Sequence, residues 1–182
     1  MTGTGTNTAF TKLLEYEKRA AAFRPGSREG HGPADEWTGV VFSLAGHRVT
    51  CNIDRIGEIL PNPQSTPVPG AKPWIIGLAN VRGELLTVVD LAWYLGGTPT
   101  RPGPGSRLLA ASLSKAPIGL LIDEVLGQRH FLDSDALPAE LDDDSPLQGV
   151  VARQHQLGSE TWYELDLDRL FTSPEFLHGA AG

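Results

Sequence analysis

Residues 74–91 read Trp74-Ile75-Ile76-Gly77-Leu78-Ala79-Asn80-Val81-Arg82-Gly83-Glu84-Leu85-Leu86-Thr87-Val88-Val89-Asp90-Leu91. Two apolar runs flank a short polar break, the signature of a hairpin. Asn80 and Gly83 tolerate the backbone angles of a tight turn. Asp90 then caps a short helix over Leu91 to Leu95, with Gly96 as its left-handed stop. Arg82 lies between apolar strands, where an unpaired buried guanidinium is costly. Two readings stand: a turn arginine in solvent, or an arginine paired with Glu58 of Ile56-Gly57-Glu58-Ile59.

Outward from this stretch the same grammar recurs. Val40, Phe42 and Leu44 alternate with Val41 and Ser43, and Ala45-Gly46 turns the chain into Val49 to Ile53. Further strands are expected at Arg107 to Leu113, Ile118 to Ile122, Val150 to Arg153 and Thr161 to Leu165. Asp166 caps a second short helix over Leu167 to Phe171. A weak internal repeat emerges. Ile53-Asp54-Arg55-Ile56 resembles Ile122-Asp123-Glu124-Val125, Gly77-Leu78-Ala79 resembles Gly149-Val150-Val151, and Val89-Asp90-Leu91 resembles Leu165-Asp166-Leu167. It predicts two similar β lobes, one from about Trp37 through Ile76, the other from about Arg107, with crossovers between them.

Composition agrees with a mainly β chain. Of 182 residues, 21 are Gly and 14 Pro, which suits short strands and many turns more than a helical bundle. A 40% hydrophobic fraction supports a real core. The net charge of -7 disfavours nucleic acid and anionic membranes as partners. No apolar run approaches a membrane span, and Met1 to Phe10 shows no secretory signal. The single cysteine, Cys51, excludes an intrachain disulfide and suits a reducing cytoplasm. Thr8 to Arg24 reads as an amphipathic helix followed by a Gly/Pro-rich tether. The expected organisation is a helical extension and linker over 1–35, a two-lobed domain over 36–174, and a tail over 175–182.

Catalytic constellations are absent from the pattern. There is no nucleophile elbow, phosphate loop or dinucleotide fingerprint, and the five histidines carry no metal-type spacing. Cys51 sits inside an expected strand, where a structural thiol is the common case. The acidic stretch Asp133 to Asp144 lacks the glycine and terminal glutamate of a calcium loop and reads as a solvated loop. No catalytic residue, metal or cofactor is assigned.

Several of these residues together resemble the CheW-like adaptors of bacterial chemosensory arrays. The resemblance rests on Ile56-Gly57-Glu58-Ile59, Val68-Pro69, Gly77, Arg82-Gly83 and Val88-Val89-Asp90-Leu91. Gly119-Leu120-Leu121-Ile122-Asp123-Glu124-Val125 and Leu147-Gln148-Gly149-Val150 extend it, so that it spans about Trp37 to Leu170. Thr87 stands where the family usually has Pro, and Ala79 where it usually has Ile. The segment around Ala79-Asn80-Val81-Arg82-Gly83 is similar to the PilI-type adaptors of type IV pilus twitching systems.

The resemblance implies two small five-stranded SH3-like β-barrels with short helices, plus an N-terminal helix. It implies a non-catalytic adaptor joining the cytoplasmic tip of a methyl-accepting chemoreceptor to a CheA-type histidine kinase, peripheral to the membrane only through receptors. A receptor helix would lie in a groove between the lobes. Matched residue by residue, Ile56, Glu58, Val81 and Arg82 fall at that groove, while Gly119, Leu120 and Val125 are the candidate kinase contacts. A core role for Leu120 and Val125 stands equally, and the Glu58–Arg82 pair either touches the receptor or holds the groove in shape. Alternatives are a CheW-like adaptor of a flagellar system, a small β-barrel protein of unrelated binding function, and a β-barrel enzyme using Cys51.

Overall fold

The structure, a computed structural model, describes residues 35–113 and 116–176. The expected helix over Thr8 to Arg24 and its tether lie outside the described residues. The chain runs β1 Glu36–Leu44, β2 His47–Asn52, β3 Glu58–Pro61, β4 Ile75–Val81, β5 Glu84–Asp90, α1 Leu91–Tyr94, β6 Arg107–Leu113, β7 Ala116–Ile122, β8 Glu124–Leu132, β9 Leu137–Pro138, β10 Val151–Leu157, β11 Glu160–Leu165 and α2 Leu167–Thr172. Short 3-10 turns at Ile53–Arg55 and Asp133–Asp135 follow β2 and β8.

The strands form two sheets. One has the order β8-β1-β2-β11-β10-β9, the other β3-β6-β7-β5-β4. We call the lobes built on them lobe A and lobe B. The lobes are therefore not bounded by the stretches named from the repeat: the expected crossovers carry a whole hairpin of each to the other sheet. The first hairpin, β1–β2, joins the C-terminal strands, and the hairpin β6–β7 joins β3, β4 and β5. The physical reason is the parallel pairing: Tyr163 sits beside Val49 and Thr87 beside Ile118, which needs each hairpin to cross to the other lobe.

The repeat itself is real, and hydrogen bonding fixes its register. Asp90 N donates to Trp74 O and Asp166 N to Val150 O, at 2.8 and 2.9 Å. Ile75 lies opposite Val89, and Val151 opposite Leu165, each pair followed by a bulge. Gly77 is thus the counterpart of Arg153, not of Gly149. A glycine is needed at 77 because its φ is +154° and any Cβ there would overlap Thr66 and Pro67. Both helix caps form as expected: Asp90 accepts from Trp93 N and Asp166 from Arg169 N.

Two-residue turns close the hairpins, with positive φ at Ala45-Gly46 and at Arg82-Gly83. Asn80 does not take the unusual angles itself. Its side chain accepts from Gly83 N at 3.0 Å and braces the turn in which Arg82 does. β3 and β8 lie at sheet ends and carry too few apolar residues in alternation to stand out in the sequence; β8 is mostly exposed and bulges opposite Val41 and Phe42.

Three apolar clusters hold the domain. The largest is shared between lobes: Phe42 and Cys51 from one sheet meet Leu109 and Leu120 from the other, with α1 and α2 packed on it. Ala79, Leu86, Val88, Leu108 and Leu121 fill lobe B, and Trp37, Val41, Phe131 and Trp162 fill lobe A. Phe176, assigned by sequence to the tail beyond residue 174, is fully buried in the shared cluster, so the packed domain includes it.

Candidate functional site

Lobe B curls until its two end strands approach, and a groove of about 400 Å³ opens along that seam. β3 supplies Glu58 and Leu60, two apart and therefore on one face. The β4–β5 hairpin supplies Val81, Arg82, Glu84 and Leu86, with Ala110 of β6 between. The pairings Val81–Glu84 and Ala79–Leu86 put these side chains on the interior face of the sheet. Leu60 and Val81 pack on the lobe B cluster, so the groove floor is continuous with the core.

An ion pair spans the groove: Arg82 Nη2 lies 2.6 Å from Glu58 Oε1. Arg82 is 77% exposed and Glu58 34%. At that exposure the pair contributes about 0–1 kcal/mol to folding. Its place matters more. It joins the tip of the β4–β5 turn to β3 across edges that do not hydrogen-bond to each other. Positive φ at Arg82 aims the side chain back over the groove mouth.

The structure thus brings together Glu58, Val81 and Arg82, and leaves Ile56 apart. Ile56 packs against the shared cluster, its N–H held by Ile53 O at 3.0 Å. The groove also belongs to one lobe; the space between lobes is filled by the shared cluster. Leu60, Glu84 and Leu86 were not singled out from sequence, although period-two spacing from Glu58 and the hairpin register point to them.

Gly119 and Leu120 are interior. A Cβ on Gly119 would overlap Leu108 and lie 2.8 Å from Leu86 Cδ2, and Leu120 is fully buried. Val125 is half-buried opposite Phe42 on β8, next to Leu126, which is 43% exposed.

Cys51 is fully buried, and burial pushes its thiol up to about 12. A thiol so placed is neither accessible nor ionised near neutral pH. Among the described residues, no group of three His, Cys, Asp or Glu side chains is placed to hold a metal, and no helix is long and apolar enough to cross a membrane. What the lobe B groove offers is apolar surface, one bridging cation and two carboxylates, a set suited to gripping another protein.

Comparison with known proteins agrees with the architecture. A model of the CheW-like domain matches residues 38–175. The chain is 32% identical to Protein PilI of Pseudomonas aeruginosa over 124 residues, covering 68% of this chain and 70% of that protein. It is 32% identical to Protein FrzA of Myxococcus xanthus over 117 residues, 64% of this chain and 69% of the other. The chemotaxis protein CheW of Rhizobium meliloti is 28% identical over 99 residues, 54% of this chain and 64% of the other. Among solved structures, the scaffolding protein TtCheW from Thermoanaerobacter tengcongensis superposes with a TM-score of 0.64 at 21% identity, covering 71% of this chain and 88% of that one. At that identity the superposition speaks for the fold alone. The family match across residues 38–175, with one third identity to PilI over two thirds of the chain, makes this protein a member of the CheW-like domain family.

Proposed function

We propose that the protein is a non-catalytic cytoplasmic adaptor. It couples the cytoplasmic tip of a chemoreceptor to a CheA-type histidine kinase, in a chemosensory system that controls type IV pilus motility. The observation that carries this reading is the seam groove of lobe B. Its apolar floor of Leu60, Val81 and Leu86, spanned by Glu58 and Arg82, accepts an amphipathic helix by the helix-in-groove mode. The identity to PilI favours the pilus output, while the likeness to the chemotaxis protein CheW of Rhizobium meliloti covers a shorter stretch.

On this reading Val125 is the candidate kinase contact of its trio, because it alone is only partly buried, on the end strand β8. Gly119 and Leu120 act by shaping the sheet beneath. The groove is tested with Arg82→Glu in the full chain, by pull-down and titration against the cognate receptor tip and kinase. Reversal should weaken receptor binding by about 30-fold or more, the scale of an interface hot spot. Circular dichroism and thermal stability should stay unchanged, because the exposed pair contributes little to folding. Wild-type protein that binds neither receptor nor kinase would defeat the proposal.

A further inference from the structure

The two lobes repeat one plan, and it places a carboxylate just past the turn of each closing hairpin. Counted from the equivalent pairs Ile75–Val89 and Val151–Leu165, Glu84 of β5 corresponds to Glu160 of β11. Each opens its strand, Glu84 opposite Val81 and Glu160 opposite Leu157. The parallel pairings give the next equivalence. Thr87 beside Ile118 corresponds to Tyr163 beside Val49, so Pro117 stands where lobe A has Arg48.

In lobe A this position completes an ion pair. Arg48 binds the Glu160 carboxylate, and its guanidinium lies 5.6 Å over the Trp162 ring. In lobe B, Pro117 has no charge to offer. Arg82, two residues before Glu84, is engaged by Glu58 across the groove at 2.6 Å. Glu84 is exposed, and its carboxylate has no partner among the described residues. The seam of lobe A carries no such bridge: Gly127 takes the place of Glu58, and Gly158 that of Arg82. Lobe A thus neutralises its hairpin carboxylate from within, while lobe B spends its nearest cation elsewhere and leaves Glu84 open.

That open carboxylate faces the groove, whose wall includes both Glu84 and Pro117. Of the charged groups there, Glu58 and Arg82 cancel and Glu84 remains. We propose, resting on the reading of this groove as the receptor-helix site, that Glu84 selects the helix that docks there: it takes a lysine or arginine of the partner, the cation that Arg48 supplies internally in lobe A. Glu84 stands two residues along β5 from Leu86 of the groove floor, about 7 Å. A helix aligned with β5 rises about 1.5 Å per residue, so its cation stands three or four positions from the apolar side chain that meets Leu86.

The full chain and its variants Glu84→Gln and Glu84→Lys are titrated with a purified fragment of the cognate receptor's cytoplasmic tip, the probe used for Arg82→Glu. Glu84→Gln should weaken binding about 2–5-fold, the range of an exposed charge pair, and Glu84→Lys about tenfold through added repulsion. The loss should fall mainly on the association rate. It should shrink to within about twofold at about 1 M salt, where charges are screened beyond about 3 Å. Circular dichroism and melting temperature should stay unchanged. Lysines and arginines of the tip are then replaced one at a time by glutamate. One such variant should bind the wild-type chain weakly and restore Glu84→Lys to within about threefold of the original pair. Undiminished binding in Glu84→Lys, or a loss that no swap restores, overturns the role of Glu84. If Arg82→Glu still weakens binding in that case, the groove reading stands and only the selection by Glu84 falls. If neither substitution matters, or the wild-type chain does not bind the tip, both fall.

Discussion

Gly119 decides whether the interior of lobe B is as full as its geometry implies. A methyl group added there would sit 2.8 Å from Leu86 Cδ2 and closer still to two carbons of Leu108. Ordinary carbon contacts lie at about 3.5–4.0 Å, so three contacts each fall short by roughly 1 Å. Leu108 is fully buried and Leu86 4% exposed, which leaves neither free space to rotate into. Overpacking of this kind costs about 1–3 kcal/mol. With a urea slope of about 1–3 kcal/mol per molar, the midpoint of Gly119→Ala should fall by about 1 M. Leu108→Ala alone should cost about 2–5 kcal/mol through the cavity it leaves. The double variant should cost less than the sum by at least about 1 kcal/mol, because the new methyl occupies space the leucine vacated. A single-variant cost below about 0.5 kcal/mol, or an additive cycle, would refute the packing argument. A stable Gly119→Ala that lost kinase binding would instead put this position at a contact surface.

The two helix caps should differ in strength although they are repeat equivalents. Asp90 is 2% exposed and also accepts from Thr100 N and Oγ1 at 2.8 and 3.0 Å, so Asp90→Ala should cost about 2–4 kcal/mol by calorimetry or urea titration. Asp166 is exposed and caps only Arg169 N, so Asp166→Ala should cost about 0.5–2 kcal/mol. Burial works to raise the Glu164 carboxyl, but hydrogen bonds from His155 and Arg153 and the Arg153 charge outweigh it and hold the group below the usual carboxylate range. Its folded value is depressed, so its stabilisation is present above the unfolded value of about 4.3 and lost as pH falls through the folded one; acid titration of Glu164→Gln should show a shallower loss. Cys51 has the opposite sign: its raised folded value favours the neutral thiol, so that contribution fades as pH rises past about 8.5, where the unfolded chain ionises. In native protein at pH 8 it should resist a thiol-reactive disulfide reagent until denaturant is added, and prompt labelling would contradict its burial.

Much of this architecture was legible because the residues that write it are local. Asp90 and Asp166 announce helix starts through a bond three residues away. Ala45-Gly46 and Arg82-Gly83 announce two-residue turns through the positive φ they accept. Crossovers between the lobes were expected, but which hairpins cross was not legible, because it depends on which strand lies beside β7 and β2, and nothing in Ile118 or Val49 names Thr87 or Tyr163 as its neighbour. Glu58 could be named as a candidate partner for Arg82 by chemistry, although Glu84 lies nearer in the sequence, and the structure pairs Arg82 with Glu58. Ile56 could not be separated from them by sequence, since an apolar residue two positions from Glu58 reads equally as groove or core. A cavity of about 350 Å³ in lobe A was not legible either: Glu36, Phe131 with Asp135, and His155 line it from three separate stretches that only the pairing of sheet A gathers.

The same pairings that defeat the sequence explain why the two seams diverge. At one pair of equivalent interior positions the large and the small residue have changed places. In lobe B, Leu108 packs over Gly119; at the equivalent positions of lobe A, Gly39 lies under Thr50 and Phe131. With the interior exchanged in this way, the residues at each mouth were free to differ without disturbing the sheet. Lobe B carries Glu58 and Arg82 at its mouth, an ion pair that ties the hairpin tip to β3 and gives the groove a fixed width. Lobe A has Gly127 and Gly158 there, and its ion pairs lie elsewhere, from exposed Arg153 to Glu164 and Asp133. The two seams of the duplicated fold thus differ in chemistry, and substitutions at one mouth should leave the packing of the other intact.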